Sequence, residues 1–214
     1  MSSNSTLPSG TGRQVVASTF VTLDGYMVGP DEDISWVIDG FDPVMADDIA
    51  QDMSRWDMFV LGRITYEIFA GYWPHAEPYD DGDALNPAAG KEDPRIIRAL
   101  NERPKLVFSR TLTRADWQDT RIASASPEDE IRRLRREPGG VINIQGSASI
   151  VQALAASDLI DEHRLYVHPV LLGAGKPVFA TGAGRQDLAL TALKRYDNGV
   201  VAMMYRRGSG KQEA

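Results

Sequence analysis

Five short runs in this 214-residue chain carry side chains able to bind or transform a ligand: Asp24-Gly25, Gly62-Arg63-Ile64-Thr65, Ser109-Arg110, Gln145-Gly146-Ser147-Ala148-Ser149 and His168-Pro169. Two of them place small residues at the predicted start of a helix, where free N–H groups and the positive dipole end favour phosphate. Two carry an arginine, whose forked N–H groups grip phosphate oxygens in pairs. Asp24 and His168 add a carboxyl and an imidazole, groups that hold or pass protons. A dinucleotide fits this inventory. Each run also has a plain structural reading. Asp-Gly is a common turn dipeptide, Gly62 can simply end a strand, Arg63 and Arg110 can be solvated, the Gly-Ser run can cap a helix, and His168 can be a packed residue.

Composition narrows the chemistry. There is no cysteine, which excludes a disulfide scaffold, a thiolate zinc site and a cysteine nucleophile. The three histidines lack ligand spacing, so no metal is expected. Lys plus Arg number 23 against 30 Asp plus Glu, a net charge of −7, which argues against a general nucleic-acid surface. No apolar run approaches the roughly 20 residues of a membrane helix. Neither a GxGxxG fingerprint after the first strand nor a Walker motif is present. Residues 1–13 read as a polar, flexible leader without the character of a secretory signal, which makes the cytoplasm the default location, and residues 208–214 read as a loose tail.

The elements that must position the five runs follow from periodicity. Val15 to Leu23 is rich in β-branched residues and reads as a strand that ends at Asp24-Gly25. Pro43 to Trp56 has helical spacing, with Asp42 as N-cap and Pro43 at the first helical position. Met58 to Leu61 is a buried strand that turns at Gly62 into a helix. Residues 77–90 are an acidic loop, readable as a lid or as an insertion. Asp93-Pro94 starts a short helix, Lys105 to Phe108 is a strand, and Trp117 to Ala123 holds a candidate short one. Ser126-Pro127 opens a helix with a capping-box-like start. Val141 to Ile144 is a strand leading into the helix that begins after Ser147. Arg164 to Leu172 is another strand, and Ala189–Leu193 with Val200–Arg206 around Asp197-Asn198-Gly199 predicts a hairpin. Alternating strands and helices imply an α/β fold with a mostly parallel sheet covered on both faces, over residues 14–207 as one domain. In such sheets ligands collect at the carboxyl ends of the strands, where all five runs fall.

The segments STFVTLDGYMVGPDEDISW, MFVLGRITYE, KLVFSRTL, VINIQGSASIVQAL and RLYVHPVLLGAGKPVF, in this order, resemble the dihydrofolate-reductase-like superfamily, in particular the RibD C-terminal domain of riboflavin biosynthesis. The resemblance spans residues 14 to 206. It implies a three-layer α/β/α fold, NADPH as cofactor, and reduction of a pterin-like or ribosylaminopyrimidine-like compound. It also implies a homodimer. On this resemblance Gly62, Arg63 and Thr65 form the turn against the cofactor pyrophosphate and adenosine phosphate. Ser109 and Arg110 receive the 2′-phosphate, and Gly146, Ser147, Ala148 and Ser149 form the turn on the other side of the pyrophosphate. Gln145 with a single Gly146 stands where the family often has paired glycines.

On the substrate side, the resemblance puts Asp24 in the family's Leu-Asp-Gly segment, Gly29 in the segment over the nicotinamide and Trp36 on the loop flanking the substrate; His168, on the strand facing the same end of the sheet, can hydrogen-bond a substrate. Trp36 also reads as an ordinary packed aromatic. Reduction of a C=N bond needs a proton at nitrogen, so a carboxylic acid or ordered water is required. In folate reductases the acid projects from the first helix. The gapless match there is Ala46, and Asp47 and Asp48 follow it on the same helix. The candidate proton-active residues are therefore Asp24, Asp48 and His168. The alternative reading is a nucleotide-binding module that keeps the fold without catalysis.

Overall fold

Runs of β-branched residues bounded by Gly, Pro and Asp build the strands, and side-chain caps start three of the six described α-helices. In the computed structural model, which describes residues 12–39, 42–79, 91–182 and 184–208, the chain opens with β1 (Gln14–Thr22), β2 (Tyr26–Val28), α1 (Ser35–Asp39) and α2 (Pro43–Met53). It continues through β3 (Trp56–Gly62), α3 (Arg63–Tyr72), β4 (Glu77–Pro78), β5 (Lys91–Glu92), α4 (Pro94–Glu102), β6 (Lys105–Phe108) and β7 (Thr120–Ile122). The second half comprises α5 (Pro127–Leu134), β8 (Val141–Gln145), α6 (Ala148–Ala156), β9 (Glu162–His168), β10 (Lys176–Pro177), β11 (Leu188–Arg195) and β12 (Val201–Arg207).

Eight strands form one sheet in the order β11-β12-β9-β1-β8-β3-β6-β7. The pairs from β9 to β7 are all parallel, and β12 and β11 close the edge antiparallel, as the α/β reading anticipated. Two cores sandwich the sheet. One packs Met45, Ile49, Ile96 and Leu100 of α2 and α4 on Phe59, Leu61, Val107 and Tyr166. The other packs Ile131, Leu134, Ile150 and Leu154 of α5 and α6 on Val15, Ala17, Ile142 and Ile144. The alternation along β1, with Val15 and Ala17 on one side and Val16 on the other, is the period of two expected of a strand buried on both faces.

The boundaries have local causes. The Asp42 carboxylate accepts the N–H groups of Val44 and Met45, so α2 starts at the predicted cap. Asp93 accepts from Arg95 N and Ser126 from Asp129 N, capping α4 and α5. The strand expected to run to Leu172 stops at His168, because Pro169 has no N–H to continue a ladder. At the far end of β6, Lys105 Nζ is buried and donates to the carbonyls of Leu100, Asn101 and Arg103 at the C-terminus of α4. The acidic stretch 77–90 is described only through residue 79, where Glu77-Pro78 pairs in parallel with Lys91-Glu92. The rest of that stretch, the leader through residue 11 and the tail from residue 209 lie outside the described residues.

Candidate active site at the strand carboxyl ends

A cleft of about 800 Å³ opens where β3, β6, β7 and β8 end. It is lined by Gly62, Arg63 and Thr65 after β3, by Ser109 and Arg110 after β6, and by Ser147, Ala148 and Ser149 after β8. The structure thus brings together three runs that are distant in sequence. Gly146 lies immediately behind the lining, its α-carbon side facing Thr65. Ser126 and Pro127 complete the wall from the start of α5. The sequence reading used Ser126 only as a cap; applying the strand-end rule to the short β7 would have found it.

The caps explain where an anion can bind. Helices α2, α4 and α5 begin with a carboxylate or hydroxyl already bonded to their first N–H groups. Helices α3 and α6 begin at Gly62 and Ser147 with no side-chain cap. Both uncapped ends open into the cleft, leaving first-turn donors without an intrahelical acceptor. The Ser147 hydroxyl instead accepts the Gly62 N–H at 2.6 Å and lies 3.0 Å from the Thr65 hydroxyl, tying the two turns together. Only glycine fits at position 62, because a Cβ there would stand 2.7 Å from Ser147 Oγ. Ser147 has φ 65° and Gly146 φ 61°, so the turn after β8 is left-handed at both residues, although only one is glycine.

The cations differ. Arg63 is paired with Glu67 one turn along α3 at 2.7 Å. Arg110 is exposed and has no ion partner among the described residues. Ser109 Oγ accepts the N–H groups of Thr111 and Leu112, which fixes the turn that carries Arg110. At the other end of the cleft, Lys176 lines the wall beside Val28 and is ion-paired with Glu32. Uncapped helix starts, an arginine without an ion partner among the described residues and a glycine that admits close approach are features that suit phosphate groups, and a phosphorylated dinucleotide fits them.

Of the predicted substrate residues, Gly29 adjoins the cleft, whereas Asp24, Trp36 and His168 are not part of its lining. His168 is 1% exposed and stacks edge-on against Trp36 at 5.1 Å and Phe20 at 5.7 Å. Its Nε2 and the Trp36 Nε1 are buried without a partner. Burial pushes the His168 pKa down to about 4, so the ring is neutral at physiological pH. Gly29 donates its N–H to the Asp33 carbonyl and packs near Leu172, between the cleft residues Val28 and Glu32. Gln145, which the sequence reading treated only as a departure from paired glycines, holds a buried and unpartnered Oε1 at the end of β8.

Two carboxylates are placed differently from the expectation. Asp24 accepts from the Thr22 hydroxyl at 2.5 Å, the Gly173 N–H at 2.7 Å and the Leu172 N–H at 3.0 Å. These bonds, the Thr22 hydroxyl foremost, hold its pKa below the ordinary carboxylate value, so it is an ionised loop anchor. Asp48 points away from the cleft toward the terminal hairpin, where it accepts from Lys194 and, at 2.8 Å, from the Tyr196 hydroxyl. The structure does not bring Asp48 to the site, because its position on α2 faces Lys194 of β11 and Tyr196, while Asp47 beside it pairs with Arg95 of α4 at 2.7 Å. Among the described residues there is no group of carboxylates and histidines suited to a metal, and no helix is long and apolar enough to cross a membrane.

Over 193 residues the chain is 31% identical to the uncharacterized protein YyaP of Bacillus subtilis (strain 168), covering 90% of this chain and 94% of YyaP. It superposes with a TM-score of 0.69 on a Shewanella sp. PV-4 protein named for riboflavin biosynthesis, at 20% identity over 91% of this chain and 99% of that one. The dihydrofolate reductase of Enterococcus faecalis, solved with NADP(H), gives a TM-score of 0.55 at 13% identity over 92% and 97% of the two chains, a likeness of fold alone. The sequence profile of the RibD C-terminal domain matches residues 13–202, and the chain belongs to that family.

Proposed function

We propose that this protein is an NADPH-dependent reductase of a small, flat nitrogen heterocycle, pterin-like or ribosylaminopyrimidine-like, with 5-amino-6-(5-phosphoribosylamino)uracil as the type substrate. The observation that carries the reading is the pair of uncapped helix starts at Gly62 and Ser147 facing each other across one cleft with Arg110. Membership in the RibD C-terminal family and a fold shared with a dihydrofolate reductase solved with NADP(H) support it. NADPH supplies a hydride when bound.

The chain's own residues do the rest. The N–H groups that open α3 and α6 hold the pyrophosphate, and Arg110 with Ser109 holds the 2′-phosphate. Arg63 supplements that charge once it leaves Glu67. Trp36 and His168, buried in an edge-on stack outside the cleft lining, order the end of β9. Neutral His168 is a hydrogen-bonding group and not a store of protons. Asp24 shapes the 172–173 turn, and water delivers the proton to the substrate nitrogen.

Titration with NADPH and NADH, read by nicotinamide fluorescence and then repeated with a panel of pterins and aminopyrimidines, tests the proposal. Preferred binding of NADPH followed by its oxidation supports it, and binding of neither cofactor overturns it. A second reading, a non-catalytic nucleotide-binding module, is favoured by one observation: neither Asp24 nor Asp48 offers a free carboxyl to the cleft. Saturable NADPH binding without oxidation across the whole panel would select it.

A further inference from the structure

Strand order arranges the cleft from one end to the other. Starting at the β7 edge, Ser126 follows β7, Arg110 follows β6, Gly62 ends β3 and Ser147 follows β8; past the end of β1 come Val28 of β2 and Lys176 of β10. A dinucleotide with its 2′-phosphate at Arg110 and its pyrophosphate between the two helix starts therefore has its reacting ring toward the end walled by Val28, Glu32 and Lys176.

Both charged side chains at that end are placed by closely fitted backbone. Lys176 pairs with Val28 and Pro177 with Tyr26 in an antiparallel ladder, the Val178 N–H donates to the Gly25 carbonyl at 2.9 Å, and Gln152 of α6 donates to the Pro177 carbonyl at 2.8 Å. Gly175 sits at φ 136° with the Val28 carbonyl oxygen 2.0 Å from where a Cβ would stand, so the ladder closes only on glycine. On the facing loop Asp31 and Glu32 are left-handed at φ 55° and 61°, although neither is glycine. Such conformations cost free energy and gather where a side chain must be aimed. Here the loop aims Glu32, whose carboxylate accepts from the Lys176 ammonium across 144 residues of sequence.

Reduction of a C=N bond takes a hydride at carbon and a proton at nitrogen. Among the described residues that line the cleft, Arg63 and Arg110 do not release protons, and the serine and threonine hydroxyls are far weaker acids than an ammonium. Glu32 is the one carboxylate of that lining, and it is engaged by Lys176. Beyond the lining, Asp24 has its oxygens filled by hydrogen bonds and His168 is buried. Resting on the reductase reading, we propose that Lys176 is the proton source of the reaction and that Glu32 is its positioning residue. The hydride and its electron pair form the new C–H bond, the C=N π pair moves to nitrogen, and nitrogen takes a proton through one water from the Lys176 ammonium. The amine left behind regains a proton from solvent, to which its half-exposed side chain is open. The other titratable groups around the pair are Tyr26 on β2, opposite Pro177, and Asp31 and Asp33, which flank Glu32; α6 contributes none.

The test uses the full chain with NADPH and the panel of pterins and aminopyrimidines. Lys176→Met keeps the length of the side chain without the ammonium and is expected to lower kcat about 100-fold or more at pH 7, while NADPH affinity, read by nicotinamide fluorescence without substrate, changes less than about threefold. Lys176→Arg keeps the charge but not a transferable proton, and is expected to be as slow. Because the chain has no cysteine, Lys176→Cys can be alkylated with 2-bromoethylamine at that single position. The aminoethylcysteine so formed carries an ammonium somewhat more acidic than that of lysine, and should restore turnover with the basic limb of the kcat profile moved to lower pH. Glu32→Gln should move the same limb to lower pH, because the ammonium loses the carboxylate that favours its charged form. An unchanged kcat in Lys176→Met, full turnover in Lys176→Arg, or a loss of NADPH affinity that accounts for the loss of turnover overturns the proposal, as does a Glu32→Gln variant that is inactive where Lys176→Met is not. A wild type that oxidises NADPH with no member of the panel overturns the reductase reading and this proposal together, whereas the failures in the variants leave that reading standing.

Discussion

The amide of Gly62 donates to the hydroxyl of Ser147 at 2.6 Å, joining two strand-to-helix turns that lie 85 residues apart in the chain. One bond thereby sets the distance between the two uncapped helix starts, and it requires both a residue without Cβ at 62 and a hydroxyl at 147.

Gly62→Ala is accordingly expected to weaken NADPH binding by about tenfold or more and to lower stability, because the new Cβ falls 2.7 Å from Ser147 Oγ. Adding Ser147→Gly removes the atoms it meets and also relieves a left-handed serine, leaving Ile150 Cδ1 at an ordinary 3.6 Å. The double variant should therefore bind NADPH more tightly than Gly62→Ala alone, and a cycle of fluorescence titrations measures the coupling. Additive losses would show that the two turns are not linked in solution.

Arg110 and Arg63 should separate by cofactor. Arg110 is free, whereas Arg63 must first leave Glu67. A charged hydrogen-bond pair contributes about 1.5–3 kcal/mol, so Arg110→Ala should reduce NADPH affinity roughly 10- to 100-fold while changing NADH affinity little. Arg63→Ala should show the smaller selectivity loss. Equal losses for both cofactors in the Arg110 variant would detach this residue from the 2′-phosphate.

The sequence made the frame of this site readable and its finish unreadable, for identifiable reasons. Strands with long β-branched runs, such as Val15 to Leu23 and Val141 to Ile144, announce themselves, and the junctions that follow them are then fixed to one edge of the sheet. Asp42 and Ser126 were legible as caps because capping is a local interaction. The bond between Gly62 and Ser147 was not legible, since it depends on β3 and β8 being neighbours, a matter of long-range strand order. The long-range contacts of Asp24 and Asp48 were not legible for the same reason. Apart from the Thr22 hydroxyl on Asp24, their partners, Leu172, Gly173, Lys194 and Tyr196, are about 150 residues away, where no local pattern reveals them.

His168 should leave a signature in stability and none in turnover near neutrality. Its pKa is about 4 in the fold against 6.5 when free, so the unfolded chain binds the extra proton first. Stability is complete above pH 6.5 and is lost as pH falls through 4, by at most about 3 kcal/mol. Urea unfolding from pH 4 to 7 should show this slope in the wild type and a flatter one in His168→Gln. A turnover profile with an inflection near pH 6.5 that disappears in His168→Gln would mean that the imidazole titrates in the working enzyme.

Glu130 gives a second acid-sensitive contribution, at the start of α5. It is buried and bridged to Arg121 at 2.8 Å and Arg133 at 3.0 Å, and these partners, Arg121 first, hold its pKa down to about 2. A depressed carboxylate stabilises the fold fully above its ordinary value of 4.5, and the contribution disappears as pH falls toward 2. Glu130→Gln should lower the melting temperature at pH 7, with the difference from the wild type shrinking as pH falls from 4.5 toward 2. A constant difference at all pH values would assign the effect to packing.

Asp24 and Asp48 decide where the proton comes from. Asp24 accepts three hydrogen bonds and holds the 172–173 turn, whereas Asp48 holds the terminal hairpin through Tyr196. Asp48→Asn should therefore leave kcat and its pH dependence unchanged. Asp24→Asn keeps one acceptor oxygen and should retain most of kcat, whereas Asp24→Ala frees the turn and should raise the substrate KM more than it lowers kcat. If the Asp24 carboxyl were instead the proton donor, Asp24→Asn would lose turnover by orders of magnitude with NADPH binding intact, and the acidic limb of the pH profile would vanish with it. The observed bonds argue for the first outcome: a carboxylate whose lone pairs are filled by two backbone N–H groups and a hydroxyl, and whose pKa lies below the ordinary value, carries no proton to give at neutral pH.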